Sequence, residues 1–391
     1  MNISLSRYLG SVPENYLFSE VAKRVAAAKS RNPNKKTISL GIGDVTLPLP
    51  SCAVRAAVVA AEEMGREASF RGYGPESGYM FLKTAVSEHY GRQGVSISPD
   101  EIYITDGAKS TLGSIGDIIG NEKLLVPAPT YPLMPDSWLM SGREAVFLPG
   151  NRENGFLPSP PEDGGRYVIY LCSPGNPTGA AYTAEGLEKW VNFALSTGSL
   201  IVFDAAYSAF SGDGIPRSVF SVKNASECAV EVGSLSKNAG FTGMRCGWLT
   251  VPESLSDIAS AWNRRQATKF NGVPYIVQRA AEAALTPEGE RECRSLVSYY
   301  LGNAAILAKP LKKHGIFFTG GENSPYLFAR CPENAGSWDF FEHLLDTAGI
   351  VCTPGSGFGD CGEGWFRLSA FGKRKTVTEA AERLGRFFDR I

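Results

Sequence analysis

Histidine is scarce in this chain. Only three occur in 391 residues, and the eight cysteines form no C-x-x-C pair, so a His/Cys zinc centre has no ligand set and no metal is expected. The thiols read as reduced and mostly buried. Charge of one sign is also lacking: 39 Lys and Arg face 40 Asp and Glu, for a formal net charge of −1. Such a balance offers no field for nucleic acid or an anionic membrane, so anionic ligands must be held by locally placed cations. No apolar run approaches the roughly 20 residues that cross a bilayer. The opening MNISLSRYLGSVPENY holds no apolar stretch of signal-peptide length, and a cytoplasmic location is expected. Internal repeats and low-complexity tracts are absent too.

What is present is a long alternation of helical and strand patterns. The length suits one large domain and a smaller one. Helices are expected at Phe18–Ser30, Ala53–Glu63, Gly78–Tyr90, Ala184–Ser196 and Pro287–Lys313. Short apolar strands are expected at Thr37–Leu40, Glu101–Thr105, Lys123–Pro127, Ala145–Leu148, Tyr167–Cys172, Leu200–Asp204, Ala229–Val232 and Gly247–Val251. Three more fall at Ile316–Phe318, Tyr326–Ala329 and Trp365–Ser369. Apolar strands alternating with helices indicate an α/β fold whose mostly parallel sheet is covered on both faces. We divide the chain into an arm that joins the small domain (1–47), a large domain (48–290) and a C-terminal α+β domain (291–391). In such sheets the ligand lies beyond the carboxyl ends of the strands.

The polar motifs fall at those ends. Ser234-Leu235-Ser236-Lys237 follows a strand and precedes Arg245. A lysine amine can condense with an aldehyde cofactor, and two hydroxyls with a guanidinium suit a phosphate dianion. Asp204 ends the strand LIVFD, where its carboxylate can pair with a protonated pyridine nitrogen. Tyr207, three residues on, can reach the same ring. Ser173-Pro174-Gly175-Asn176-Pro177-Thr178-Gly179 holds Asn176 between two residues of fixed φ. Asp106-Gly107-Ala108-Lys109-Ser110 opens a helix, and a helix N-terminus binds anions. Tyr131 can stack on a flat ring. Arg367 sits in an apolar strand, where a buried guanidinium needs an anionic partner such as a carboxylate. Alone, each also fits a bland reading: Lys237 in a surface run, Asp204 as a helix cap, Tyr131 as a core ring, Arg367 reaching to solvent.

Together, in the order Asn176, Asp204, Tyr207, Ser234-x-Ser236-Lys237, Arg245 and Arg367, they resemble the fold-type I aminotransferases. That resemblance implies pyridoxal 5'-phosphate as cofactor and assigns roles. Lys237 is the Schiff-base lysine and proton carrier, Asp204 the partner of the ring nitrogen, and Asn176 and Tyr207 the ligands of the ring oxygen. Ser234, Ser236, Arg245 and the Ala108–Lys109 backbone hold the phosphate, Tyr131 stacks on the ring, and Arg367 clamps the substrate α-carboxylate.

A narrower resemblance rests on NYLFSEVAKRV, SLGIGDVTLPLP, RGYGPESG, ITDGAKS, WNRRQATKFNGV, GGENSPYLF and GEGWFRLSAFGKR. These strings are similar to the LL-diaminopimelate aminotransferase family. This implies a substrate pocket of Tyr16, Gly43, Lys109, Tyr131, Asn176, Asn271 and Arg367. Tyr73, Glu76 and Asn271 would come from the neighbouring subunit of a homodimer, with Tyr73 and Asn271 also reaching its cofactor. Two departures stand out: Gly175, where the family often has a second Asn, and PLMPDSW after Tyr131. The implied reaction passes an amino group from an amino acid to a 2-oxo acid. The rivals are an aspartate or aromatic amino acid aminotransferase and, outside the enzymes, an effector-sensing regulator on the same fold. The regulator would need a basic DNA-binding module of about 60 residues, for which the chain shows no segment.

Overall fold

The structure is a computed structural model that describes residues 4–12 and 17–391. Helix α1 (Leu17–Arg31) and the short strand β1 (Ile38–Ser39) form the arm, followed by α2 (Ser51–Met64) and α3 (Met80–Gly91). Strand β2 (Ile102–Thr105) then leads through Gly107 into α4 (Ala108–Ile115). There follow β3 (Lys123–Ala128), α5 (Leu133–Met140), β4 (Ala145–Pro149), β5 (Tyr167–Cys172), α6 (Ala184–Thr197), β6 (Leu200–Asp204), β7 (Ala229–Ser234) and β8 (Gly247–Thr250). These seven strands make one sheet in the order β2-β8-β7-β6-β5-β3-β4. β8 runs antiparallel to β2 and β7, and the other pairs are parallel.

Alternation along the strands sends side chains to two separate cores. Val126, Val168, Tyr170, Val202, Val230 and Val232 pack with Leu112, Met134, Trp138 and Trp262, which come from α4, α5 and the later helix α7 (Ser256–Lys269). Leu125, Ile169, Leu171, Ile201 and Phe203 pack on the other face with Leu187, Trp190 and Val191 of α6. Near β2 and β8 that role passes to α2, α3 and α8 (Tyr275–Leu285). A doubly covered sheet explains why these strands are almost wholly apolar.

The caps are visible in the sequence once the ends are known. Thr183 caps α6 by accepting from the Gly186 amide, and Gly198 closes it with a left-handed φ of 68°. Thr286 caps α9 (Pro287–Lys313), Pro287 fills its first position, and Lys312 and Lys313 sit in its last turn.

Beyond α9 lie β9 (Phe318–Gly320), β10 (Tyr326–Arg330), α10 (Ser337–Ala348), β11 (Ile350–Val351), β12 (Thr353–Pro354), β13 (Trp365–Ser369) and α11 (Arg374–Phe388). Strands β12-β13-β10-β9 form an antiparallel sheet. The arm joins this region: β1 pairs with β11, and Leu17, Val21, Ile38 and Leu40 share a core with Leu307, Phe341 and Leu384. Two expected elements are displaced. The strand placed at Ile316–Phe318 lies at Phe318–Gly320, because Phe318, Thr319 and Gly320 find partners on β10. The helix expected from Gly78 starts at Met80, since Gly78 has a φ of 97° that no helix accommodates.

Candidate active site

The carboxyl ends of β5, β6 and β7 face a cavity of about 530 Å³. Within it the structure brings together Gly43, Ala108, Lys109, Tyr131, Asn176, Asp204, Tyr207, Ser234, Ser236, Lys237, Arg245 and Arg367. Tyr73, Glu76 and Asn271 are not among its walls. They are exposed, on two loops in close approach: a Cβ on Gly272 would lie 3.0 Å from the Pro75 carbonyl oxygen. Tyr16 lies outside the described residues.

One end of the cavity gathers groups that could hold an anion. Gly107 precedes α4 with a φ of 112°, and the helix has no side-chain cap. Ala108 and Lys109 of its first turn line the cavity, and a helix N-terminus favours an anion. The Arg245 guanidinium stands against the same turn, so close that a Cβ on Gly107 would come within 2.6 Å of Nη2. Arg245 holds a φ of 62°, a left-handed conformation rare in a long side chain and concentrated at functional sites. No carboxylate is paired with it among the described residues. The Ser234 hydroxyl oxygen accepts from the Ser236 amide at 3.2 Å, which leaves the Ser234 proton to be donated.

The middle of the cavity holds a carboxylate and an amine. Asp204 is buried. Its Oδ1 accepts from the Ala206 amide at 3.0 Å and its Oδ2 from the Tyr170 hydroxyl at 2.9 Å. Burial pushes its acid above the usual carboxylate range, while the amide and hydroxyl donors pull it back. No cation is paired with Asp204 among the described residues. Lys237 donates to the Gly43 carbonyl oxygen. Burial lowers its amine to about 8, with Asp44 opposing that shift and Arg367 and Arg245 adding to it.

The other end holds Arg367, with no exposed surface. Nη1 donates to Asn176 Oδ1 at 2.6 Å, and Nη2 donates to the Gly41 carbonyl oxygen at 2.6 Å and to Thr353 Oγ1 at 3.3 Å. Its Nε has no hydrogen-bond partner among the described residues. The guanidinium also lies 4.3 Å from the Tyr326 ring centroid. A buried cation with only neutral acceptors and an orphaned N–H is an incomplete arrangement, and a bidentate carboxylate completes it.

Sequence reasoning missed Tyr326, Tyr170 and Asp44. Tyr326 shares a 2.9 Å hydrogen bond with Tyr207 through the two hydroxyls. With Tyr326 donating, the Tyr207 proton is left for a ligand. The same hydroxyl explains Gly43, where a Cβ would lie 2.3 Å from Tyr326 Oη. In sequence both tyrosines sit inside apolar strands and carry no local signal. Asp44 follows Gly43 in the turn Gly41-Ile42-Gly43-Asp44, where it carries no local signal of its own. A further cavity of about 580 Å³ is lined by Tyr90, Glu231, Trp248 and the start of α9, and of the expected residues only Ser234 borders it.

A helix N-terminus with Arg245, a buried carboxylate, a depressed amine and a buried guanidinium, the carboxylate without a cation and the guanidinium without a carboxylate among the described residues, thus share one cavity at the carboxyl ends of the parallel strands. The chain belongs to the family described as aminotransferase class I and II, which it matches over residues 35–384. Among curated proteins it is similar to the LL-diaminopimelate aminotransferase of Prochlorococcus marinus strain NATL1A. The identity is 48%, covering 94% of this chain and 96% of the relative. The protein of the same name from strain MIT 9303 is 46% identical, with 97% and 98% covered. Among solved structures, L,L-diaminopimelate aminotransferase from Chlamydomonas reinhardtii superimposes with a TM-score of 0.91 at 37% identity, over 99% of both chains.

Proposed function

We propose that this aminotransferase holds pyridoxal 5'-phosphate and moves an amino group of LL-2,6-diaminopimelate to 2-oxoglutarate, giving tetrahydrodipicolinate and glutamate. The reverse direction would lead toward lysine and peptidoglycan precursors. The observation that carries the chemistry is the set of uncompensated charges in one cavity: Asp204 without a cation, Arg367 without a carboxylate, and Lys237 with its amine lowered to about 8. The substrate reading is supported by the likeness to proteins of that name over nearly the whole chain.

The residues fit the cofactor by their donor chemistry. The α4 N-terminus, Ser234, Ser236 and Arg245 would hold its phosphate, Asp204 its ring nitrogen, Asn176 and Tyr207 its ring oxygen, and Tyr131 would stack on the ring. When bound, the cofactor supplies an aldehyde that condenses with amines and a ring that accepts electrons from the substrate α-carbon. Lys237 supplies the amine that holds the cofactor. Once displaced by substrate, it takes the α-proton as a base and returns it as an acid. Arg367 fixes the substrate carboxylate, so that the α-hydrogen is presented to Lys237 rather than to solvent. Asp204 keeps a negative charge against the ring nitrogen throughout.

The protein works as a homodimer with shared sites, in the cytoplasm. Val54, Val58 and Val59 of α2, and Phe70, Tyr73 and Met80 in and beside the Tyr73–Glu76 segment of the chain, are exposed large apolar side chains, a composition that calls for a partner surface. Across that interface Glu76 would meet the distal ammonium of the substrate, and Tyr16, Lys109 and Asn271 its distal carboxylate. A pocket that pairs both charges discriminates strongly, because the wrong ligand leaves one group unpaired.

The test compares LL-diaminopimelate, meso-diaminopimelate, aspartate and phenylalanine as donors to 2-oxoglutarate. The LL isomer is expected to lead in kcat/KM by at least about tenfold, a difference of about 1.4 kcal/mol. Glu76→Gln should lower that rate more than the rate with a simple donor. A preference for aspartate or phenylalanine would overturn the substrate, and absence of any transfer would favour the regulator.

A further inference from the structure

Tyr170 is a phenol in a place where a phenyl ring would pack equally well. It is 1% exposed, on the face of β5 that meets Val126, Met134, Val202 and Val230 in an apolar core. Its hydroxyl donates to Asp204 Oδ2 at 2.9 Å. The register explains the reach. Tyr170 pairs with Val202, and Cys172, on the same face of β5, pairs with Asp204, so the ring runs one side-chain step along the sheet to meet the carboxylate from behind. The Cys172 thiol lies beside both groups and donates to the Pro174 carbonyl oxygen at 3.5 Å.

A carboxylate buried without a cation has two ways to be stable: it takes up a proton, or it is supplied with donors and a cationic ligand. Asp204 accepts from the Ala206 amide and from the Tyr170 hydroxyl, with the Cys172 thiol alongside as a weaker donor. We infer that Tyr170 is a positioning residue for amino transfer: by donating to Asp204 it aims the carboxylate into the cavity and keeps it ionised, so that the proton shared with the cofactor's ring nitrogen stays on the ring. This rests on the pyridoxal-phosphate reading above. The sign follows from the chemistry. A hydrogen bond to the anion favours the carboxylate paired with a protonated ring over the neutral acid paired with a neutral ring. Removing the donor shifts the proton toward Asp204 and weakens the electron sink. The charged groups sharing the cavity are Asp44, Lys109, Lys237, Arg245 and Arg367, and a Tyr170→Phe variant leaves all five in place.

The experiment is Tyr170→Phe, with Tyr182→Phe as control. Tyr182 is also a buried phenol, and it donates to the Pro158 carbonyl oxygen instead. The visible spectrum of each cofactor-loaded protein is titrated with pH, without substrate. A protonated ring repels a second proton on the chromophore that Lys237 makes, so less ring protonation raises the midpoint. Tyr170→Phe is expected to raise it by roughly one pH unit and to lower kcat by about tenfold, a hydrogen bond to a charged group being the interaction removed. KM should change less than kcat, and Tyr182→Phe should leave the midpoint in place. With a cofactor analogue whose ring nitrogen is replaced by carbon, the wild type and Tyr170→Phe should titrate alike. An unmoved midpoint in Tyr170→Phe, or a shift that persists with the analogue, would overturn the inference. So would loss of folding in Tyr170→Phe while Tyr182→Phe folds, because the hydroxyl would then serve stability. A wild-type protein that takes up no cofactor at Lys237 would instead defeat the cofactor assignment.

Discussion

Lys237 shows how a residue is made reactive by its surroundings rather than by its own chemistry. A free lysine side chain stays protonated to about pH 10.4, and a protonated amine cannot attack an aldehyde. Here burial lowers the amine to about 8, and the Arg367 and Arg245 cations push the same way. The neutral amine is therefore the major form above about pH 8 and the minor form below it. The rate at which cofactor-free protein captures pyridoxal phosphate should rise as pH passes through about 8 and then level off. At pH 8 the fraction of neutral amine exceeds that of a free lysine side chain by roughly a hundredfold. Colour development at fixed cofactor concentration, compared with a blocked lysine under the same conditions, checks this. A capture rate still climbing steeply beyond pH 10 would show that the amine is not depressed. Lys237→Ala should abolish borohydride-stable attachment, and label found on another lysine would move the assignment.

At the scale of single elements, the sheet was the legible part. Runs of five or six residues such as LIVFD and YVIYLC are largely apolar because both faces are covered, and their ends mark the polar loops of the site. The helices were less legible. LMPDSWLM forms α5 although its apolar residues are not confined to one face and it holds Pro135, so it shows no helical period. Tyr170 and Tyr326 were hidden for a related reason: a tyrosine in an apolar strand reads as packing, and only the register between strands shows where its hydroxyl ends. Glu231 of β7 is the clearest conflict between pattern and structure. It is a carboxyl inside the sheet, accepting from Tyr90, Ser218 and the Val219 amide, and burial raises it to about 7. Its folded value lies above its unfolded one, so the fold binds this proton more tightly. The resulting stability is complete in acid and is lost as pH rises from the ordinary carboxylate range through about 7. Glu231→Gln, which keeps a neutral hydrogen-bonding group, should raise the melting temperature more at pH 8 than at pH 5. Equal shifts at both values would mean that Glu231 titrates normally.

The whole molecule is asymmetric in what it completes. One chain gathers Asp204, Lys237, Arg245 and Arg367 in its own cavity, but leaves Tyr73, Glu76 and Asn271 exposed on two loops in close approach. In the proposed homodimer these residues would serve the second copy, the two meeting through a two-fold axis so that each gives the other the same loops. This predicts complementation. Lys237→Ala and Asn271→Ala subunits should each be nearly inactive alone. After unfolding and refolding in equal amounts, half of the dimers are mixed, and each mixed dimer has one site with both residues intact. Activity should recover to about a quarter of the wild-type value per subunit, as expected for a two-fold interface with one good site in half of the dimers. Subunit exchange must be shown in the same sample, for instance by a tag on one variant that co-purifies the other. Exchange without recovery would place Asn271 in the site of its own chain and leave the exposed loops with another purpose.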